Sequence, residues 1–350
     1  MRSDRLLTIA AITAAMLLSG CGGNASTRST ASPSASPPVS EAATSPDPSA
    51  AESAGTDPSS AAPTTTTPTS TGSSCTDPGL SSVWASWPMP NPKNAGLPHP
   101  ASYTDLGNGM VKDNVTCLVW QKQSPSGTYT WAAAKTYCSS LELGGGGWHL
   151  PSRVELTSLT DFTRAGPAID TSAFPNAAPA FFWTSSPWVV SHNPPFSWII
   201  NFYEGLASNA ADQNGAYRVR CVRSPGGSGP ATYRTVANGE AQDTHTGLIW
   251  QQAGSSGIIT ATAAGRYCAD LALGGHSWRL PSIKELATTV DESRVAPAIN
   301  VTVFPNTAKS TWYWSSSVAK PDPTKTWALN YDDGYTNYRT ATTGYVRCVR

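Results

Sequence analysis

The sequence has few charged residues, and neither sign of charge is in excess. Only 13% of the 350 residues are charged, and 23 acidic residues balance 23 basic ones. Proteins that bind nucleic acid depend on clustered Lys and Arg, so this composition argues against that partner. The chain also lacks a long apolar run, because the run at 6–18 is shorter than the roughly 20 residues that a membrane-spanning helix needs.

Recognisable catalytic motifs are absent as well. The sequence contains no Gly-x-Ser-x-Gly elbow, no P-loop and no His-Glu-x-x-His motif. Its five histidines have no metal-ligand spacing. The sequence therefore predicts no catalytic residue, no metal and no cofactor.

The first 74 residues have the composition of an export signal followed by a tether. Two arginines precede the apolar run, and Leu18-Ser19-Gly20-Cys21 follows it. This arrangement resembles the lipobox of bacterial lipoproteins, which implies cleavage of a signal peptide at 1–20 and acylation of Cys21. The alternative is an ordinary signal peptide with an incidental cysteine. Residues 21–74 are rich in Ser, Thr, Pro and Ala, which predicts a disordered tether.

The rest of the chain contains an internal repeat of about one domain in length. Residues 131–156 match residues 261–286, and VRCVR ends both copies, at Arg223 and Arg350. This period is too long for a solenoid repeat and suits a complete small domain. The predicted divisions are an N-terminal extension (75–107), a first domain (108–223, copy 1), a linker (224–236) and a second domain (237–350, copy 2).

The cysteines can be paired with the help of this repeat. Seven are present, and six remain if Cys21 carries lipid. Two in copy 1 align with two in copy 2, and a domain that occurs twice is expected to close its own bridge each time. Copy 2 has Gly247 in the place of the remaining copy 1 cysteine, so the third bridge would attach the extension to copy 1. The expected disulfides are Cys138–Cys221, Cys268–Cys348 and Cys75–Cys117.

Each copy is predicted to begin with a short helix that carries its first cysteine. Apolar residues spaced i, i+3, i+7 and i+10 place Cys138 or Cys268 on one helical face. Thr130 and Thr260 stand at the N-cap positions.

A strand is predicted next in each copy, at 148–150 and 278–280, followed by a second helix. Two capping boxes mark the start of the second helices, Ser152 with Glu155 and Ser282 with Glu285. The recurring glutamates are therefore interpreted as helix caps rather than as catalytic carboxylates.

The pattern WAxAxxYC…GGxxWRLPSxxEL…WSS…VRCVR resembles the Lcl C-terminal domain family, named for a bacterial collagen-like surface adhesin. The resemblance covers both copies. It implies an α+β fold similar to C-type lectin-like domains and to formylglycine-generating enzymes, with two helices and a twisted antiparallel sheet in each domain. The expected architecture is two tandem domains of this kind after a disordered Ser/Thr/Pro-rich stalk. His149 departs from the pattern, since copy 2 has Arg279 there.

The thirteen tryptophans separate a predicted core from a predicted binding face. Four pairs occupy matching positions and are expected to pack in the core: Trp120/Trp250, Trp148/Trp278, Trp183/Trp314 and Trp198/Trp327. Rigid aromatic side chains near polar groups suit the capture of a sugar or peptide, so unshared tryptophans are candidates. The predicted ligand-binding residues are Trp188, His192, Trp312, Asp332, Asp333, Tyr335, Asn337, Tyr338 and Arg339.

These observations predict a non-catalytic lipoprotein that displays two lectin-like domains at the bacterial cell envelope, on the periplasmic or extracellular side. The expected ligand is a glycan or a surface protein, and the membrane is contacted only through the lipid anchor. Two alternatives stay open. One is an enzyme related to the formylglycine-generating oxidases, which needs reactive cysteine thiols, and the other is a purely structural envelope protein. The oligomeric state is not predicted.

Overall fold

The computed structural model describes residues 89–350, except 191–192, 194, 224–231, 238, 245 and 341–342. The predicted signal peptide, Cys21, the tether, Cys75 and His192 lie outside the described residues. Within the described part, no helix has the length and apolar character needed to cross a membrane.

Copy 1 is built mainly from short antiparallel strands. Its described helices are α1 (Trp131–Ser139) and α2 (Arg153–Ser158). Its described strands are β1 (Tyr103–Gly107), β2 (Met110–Asp113), β3 (Val119–Gln121), β4 (Phe181–Pro187), β5 (Phe196–Asn201), β6 (Leu206–Asp212) and β7 (Val222–Arg223). They form two sheets, ordered β1-β2-β3-β7 and β4-β5-β6.

Copy 2 repeats this plan with small changes. Its described helices are α3 (Ala261–Ala269) and α4 (Ile283–Ala287), with a 3-10 turn at Leu273–Gly275. Its described strands are β8 (Tyr233–Ala237), β9 (Glu240–Asp243), β10 (Ile249–Gln251), β11 (Ile259–Thr260), β12 (Trp312–Val318), β13 (Lys325–Asn330), β14 (Thr336–Thr340) and β15 (Thr343–Gly344). The sheets are β10-β9-β8, β12-β13-β14 and β11-β15. The first strand of each copy, β1 or β8, begins before the predicted domain boundary. The expected single sheet per domain is replaced by several small antiparallel sheets.

The helix starts agree with the predicted caps, with one exception. Both capping boxes form, because each serine hydroxyl accepts from the glutamate N–H and each glutamate carboxylate accepts from the serine N–H. Thr130 caps α1 by accepting from the Ala133 N–H at 3.4 Å. Thr260 stands at the predicted N-cap position of α3 but does not cap the helix with its side chain. Its hydroxyl instead lies 3.1 Å from the Thr262 hydroxyl.

The strand predicted at 148–150 and 278–280 was also wrong. Each segment makes only one isolated bridge, His149 with Val222 and Arg279 with Val349. The following Pro-Ser starts a helix within two residues, so too little extended chain remains for a ladder.

The core consists of the paired tryptophans and the disulfides. All eight tryptophans of the four shared pairs are buried, which confirms the core prediction. Cys138–Cys221 and Cys268–Cys348 are both formed, and each bridge packs beside two of these indoles. Cys117 is disulfide-bonded as well, and its predicted partner Cys75 lies outside the described residues.

The two copies pack against each other through equivalent positions that hold unlike residues. On one side, Phe162 of copy 1 enters the core of copy 2 beside Ile283 and meets Trp327 edge-on, with ring centroids 4.9 Å apart. On the other side, Glu292 takes the place of Phe162 and Arg153 takes the place of Ile283. These two residues form an ion pair, with 2.7 Å between Arg153 Nε and Glu292 Oε1.

Arg153 makes two further contacts at this boundary. Its Nη1 donates to the Gly334 carbonyl at 2.8 Å, and its guanidinium lies 4.4 Å from the ring centre of Trp198, the counterpart of Trp327. The side chain is only 4% exposed. One half of the contact is therefore apolar and the other half is ionic.

A strained backbone position also distinguishes the copies. Ala296 has a φ of +49°, where copy 1 has Gly166 with a φ of +59°. Both N–H groups donate to a carbonyl of the neighbouring turn, Ala296 to Asp332 at 2.6 Å and Gly166 to Tyr203 at 2.7 Å. The turn needs the left-handed conformation in both copies, and only copy 1 has the residue suited to it.

Replacing Glu292 by Ala is expected to lower the free energy of unfolding by about 2 kcal/mol, because the buried Arg153 loses its carboxylate. The double substitution Arg153→Ile with Glu292→Phe reproduces the apolar half of the contact and is expected to recover most of that loss. Urea unfolding of the full chain measures both variants. Arg266→Ala, which breaks an exposed pair with Asp270, is the control and should change stability by less than about 0.5 kcal/mol. An equally small change in Glu292→Ala would contradict the expectation.

Replacing Ala296 by Gly is expected to raise the free energy of unfolding by about 0.5–1 kcal/mol, because glycine removes the Cβ penalty of the left-handed region. The matched change Gly166→Ala should lower it by a similar amount. Calorimetric unfolding of both variants tests the pair, and the same sign of shift in both would refute the assignment to backbone conformation.

Candidate functional site

Four of the predicted ligand residues form one surface group in copy 2, here called the Trp312 cluster: Trp312, Tyr335, Asn337 and Arg339. Trp312 lies on β12, and the other three lie on or just before β14. The Arg339 guanidinium carbon is 4.7 Å from the Trp312 ring centre. The Tyr335 ring meets Trp312 edge-on at 6.1 Å, and Asn337 Nδ2 donates to the Tyr335 hydroxyl at 3.4 Å.

Strand geometry explains why these side chains come together. Side chains alternate across a strand, so Asn337 and Arg339 share one face of β14. β12 and β14 flank β13 in the same sheet. All four residues are half-buried, which holds the rings while leaving part of each surface accessible.

The cluster offers both apolar and polar recognition. Arg339 Nε is buried and has no hydrogen-bond partner among the described residues, so this donor is not satisfied within the described fold. An indole face with an adjacent guanidinium, amide and phenol can stack on a sugar ring or a planar peptide group and can bond its polar atoms.

Asp332 and Asp333 shape the turn before the cluster. The Asp332 carboxylate accepts from the Ser310 N–H at 2.7 Å, and the Asp333 carboxylate accepts from the Tyr335 N–H at 3.0 Å. These bonds fix the approach of Tyr335 to Trp312. Over the described residues, no group of three or more His, Cys, Asp and Glu side chains is arranged to hold a metal ion.

Other predicted ligand residues lie elsewhere. Trp188 belongs to copy 1, where its ring stacks on Phe196 at 6.2 Å between centroids. Tyr338 lies on the opposite face of β14 and reaches copy 1, donating its hydroxyl to Glu204 at 2.8 Å. Burial and this carboxylate raise the pKa of Tyr338 to about 12. The structure thus places Tyr338 in the contact between the copies.

The glutamate caps differ in their basic partner. The Glu285 carboxylate accepts hydrogen bonds from Nη1 and Nη2 of Arg279, at 2.7 Å each. In copy 1, the Oε1 atom of Glu155 lies 3.5 Å from His149 Nε2. The Glu285 carboxylate also accepts from Asn91 of the extension at 3.4 Å. These contacts are those of buried caps that join the helix to its neighbours.

Sequence reasoning missed Lys284, a buried lysine on α4. Its Nζ donates to the Pro90 carbonyl at 2.7 Å and to the Ser158 carbonyl at 2.8 Å, so one side chain joins the extension, copy 1 and copy 2. Burial lowers the pKa of Lys284 to about 8, against smaller opposing effects of Asp161 and Asp113. The sequence does contain a signal for Lys284. Its counterpart in copy 1 is the apolar Val154, so a lysine at this position of the short helix departs from the repeat.

A small α+β module, closed by a disulfide between its first helix and its last segment, therefore occurs twice. The family model of the Lcl C-terminal domain matches residues 109–223 and 239–350. These matches cover both copies and more than half of the chain, so the chain belongs to this family. The comparison with curated proteins gives no match.

The free energy of unfolding is expected to rise with pH from about 8, because of Lys284. Below pH 8 the lysine is protonated in both states and its burial is a cost. Between pH 8 and 10.5 the unfolded chain holds more protons at this site, so stability increases with pH. Urea unfolding from pH 7 to 9 should show a steeper rise in the parent chain than in a Lys284→Met variant. Parallel profiles would contradict this assignment.

Proposed function

We propose that this chain is a non-catalytic binding protein of the bacterial cell envelope. It uses its two Lcl C-terminal domains as a rigid head and captures a glycan or a surface protein on the Trp312 cluster. The observation that carries the proposal is the half-buried Trp312 indole with the Arg339 guanidinium stacked on it, beside the Tyr335 ring and the Asn337 amide. Glycan is tested first, because stacking on an aromatic face combined with hydrogen bonding suits a sugar ring.

Export and anchoring are part of the same proposal. Cys21 is lipidated after removal of residues 1–20, and residues 21–74 form the tether that carries the head away from the membrane. The disulfides support this placement, since such bonds persist in oxidising compartments outside the cytosol.

The cysteine chemistry argues against the enzymatic alternative. Formylglycine-generating enzymes, whose fold the family resemblance implies for this chain, need free thiolates. Every cysteine in the described part of the chain is in a disulfide, and a paired cysteine is not a nucleophile. A purely structural protein would show no saturable binding of any ligand. Saturable binding therefore distinguishes the binding function from the structural alternative.

The test is a glycan array followed by titration of the best glycan against the full chain, with and without a calcium chelator. Trp312→Ala is expected to weaken binding at least about tenfold, which corresponds to ~1.4 kcal/mol. Phe181→Ala is the matched control, because Phe181 occupies the Trp312 position of copy 1, is 38% exposed and has no arginine stacked on it among the described residues.

Equal losses in the two variants would show that the Trp312 cluster is not the site. A wild-type chain that binds no glycan and saturates with no surface protein would overturn the proposal in favour of a structural role. Binding that survives the chelator excludes a required calcium ion.

A further inference from the structure

A polar cleft lies where the extension, copy 1 and Lys284 of copy 2 meet. Its deeper part has a volume of about 120 Å³ and its outer part about 200 Å³. Both parts share Lys93, Tyr103 and Asp170. The deeper part is further lined by Thr160, Asp161, Arg164 and Lys284, and the outer part by Asp105 and Lys122.

Three of the polar residues that line the cleft differ between the copies, whereas Tyr103, Asp161 and Arg164 recur in copy 2 as Tyr233, Asp291 and Arg294. The copy 2 counterparts of Thr160, Asp170 and Lys122 are Val290, Asn300 and Gln252. Gln252 is also used internally, since its Nε2 donates to the Val303 carbonyl at 3.0 Å. The common frame therefore folds without these polar groups, so folding alone does not account for them in copy 1.

Two polar groups at the deep end have unused bonding capacity. Thr160 is fully buried, its hydroxyl has no hydrogen-bond partner among the described residues, and its methyl group points at Gly205. Lys284 has three N–H donors and gives two of them to carbonyl oxygens. Buried polar groups in folded proteins are normally satisfied, so a ligand or ordered water is expected here.

The charged side chains along the cleft are already paired with one another. Lys122 lies 2.6 Å from Asp105 and Arg164 lies 2.9 Å from Asp161. Lys93 and Asp170 are 3.8 Å apart, and Arg164 and Asp170 are also 3.8 Å apart. A charged ligand would have to break such a pair or approach a like charge. A neutral hydroxyl can accept from the cation and donate to the carboxylate at once, without separating them.

We propose that this cleft is a second ligand site, which binds hydroxyl groups of a neutral sugar. The deep part takes one ring, with its hydroxyls directed to Thr160, Lys284 and the Asp170 carboxylate. The outer part accommodates the neighbouring ring of an oligosaccharide. The inference rests on the proposed binding function but uses different residues from the Trp312 cluster, so the two sites can be separated by substitution.

The test uses the full chain and replaces copy 1 residues by their copy 2 counterparts. One variant combines Thr160→Val, Lys122→Gln and Asp170→Asn, and a second variant carries Asp170→Asn alone. The probes are soluble neutral oligosaccharides built from glucose, mannose or galactose, with heparin as the sulfated comparator. Calorimetric titration measures affinity and stoichiometry. Arg266→Gln, an exposed residue on α3, is the control for unrelated surface changes.

We expect the triple variant to bind a neutral oligosaccharide at least about tenfold more weakly, or to lose one of two sites, while Arg266→Gln binds as the parent does. Thr160→Val should also raise the unfolding temperature of the ligand-free chain, since it removes a buried hydroxyl without a partner. A gain in stability together with a loss of binding is not expected of a residue that only supports the fold.

Three results would overturn the inference. If the triple variant and Asp170→Asn bind neutral sugars like the parent, while Trp312→Ala does not, the cleft is excluded and the proposed function stands. If the parent binds heparin but no neutral sugar, the cleft assignment fails and only the Trp312 cluster remains. If the parent binds no glycan of either kind, the glycan form of the proposed function fails together with the inference.

Discussion

The structure depends on one covalent constraint, the disulfide that joins the first helix of each copy to its final segment. The helices α1 and α3 have nine residues each, too few to be stable alone in water. Each buries only an alanine and its cysteine. The bridge fixes the helix to a residue 83 positions away in copy 1 and 80 in copy 2. In each copy one three-stranded sheet and the long turns lie between the two bridged cysteines, so these turns can vary without releasing the frame.

The contact between the copies adds a second constraint, because equivalent positions hold residues of different kinds. Phe162 packs in the same apolar cluster as Ile283, and Glu292 forms an ion pair with Arg153. Two first copies facing each other would bring Phe162 to the buried position of Arg153, and two second copies would set Glu292 against Ile283. Both mismatches leave a charge without a partner, which is costly in a buried contact. The unlike contacts therefore favour pairing of copy 1 with copy 2, and Lys284 fastens the extension to the same boundary.

Local and repeated features could be predicted from the sequence. The capping boxes depend on residues three apart, and the tryptophan cores and disulfides follow from comparing the copies. Long-range polar contacts could not be predicted. Lys284 reaches partners 126 and 194 residues away, and a lysine on a short helix usually indicates an exposed face. Tyr338 was grouped with its neighbours because sequence proximity does not reveal which face of a strand meets the other copy. Of the predicted ligand residues, Tyr335, Asn337 and Arg339 come together on one face of β14 and the turn before it, and Trp312 joins them from β12 of the same sheet.

The internal comparison also shows where the chain accepts a cost in stability. Copy 2 fills the position of Thr160 with valine, which shows that the frame tolerates an apolar side chain there, yet copy 1 buries a hydroxyl that has no partner in the described part of the chain. The buried Nε of Arg339 is a similar case in copy 2. Buried polar groups of this kind are costly to folding unless water or a ligand satisfies them. One frame used twice thus carries a different exposed chemistry on each copy, stacked aromatics on one and paired charges on the other.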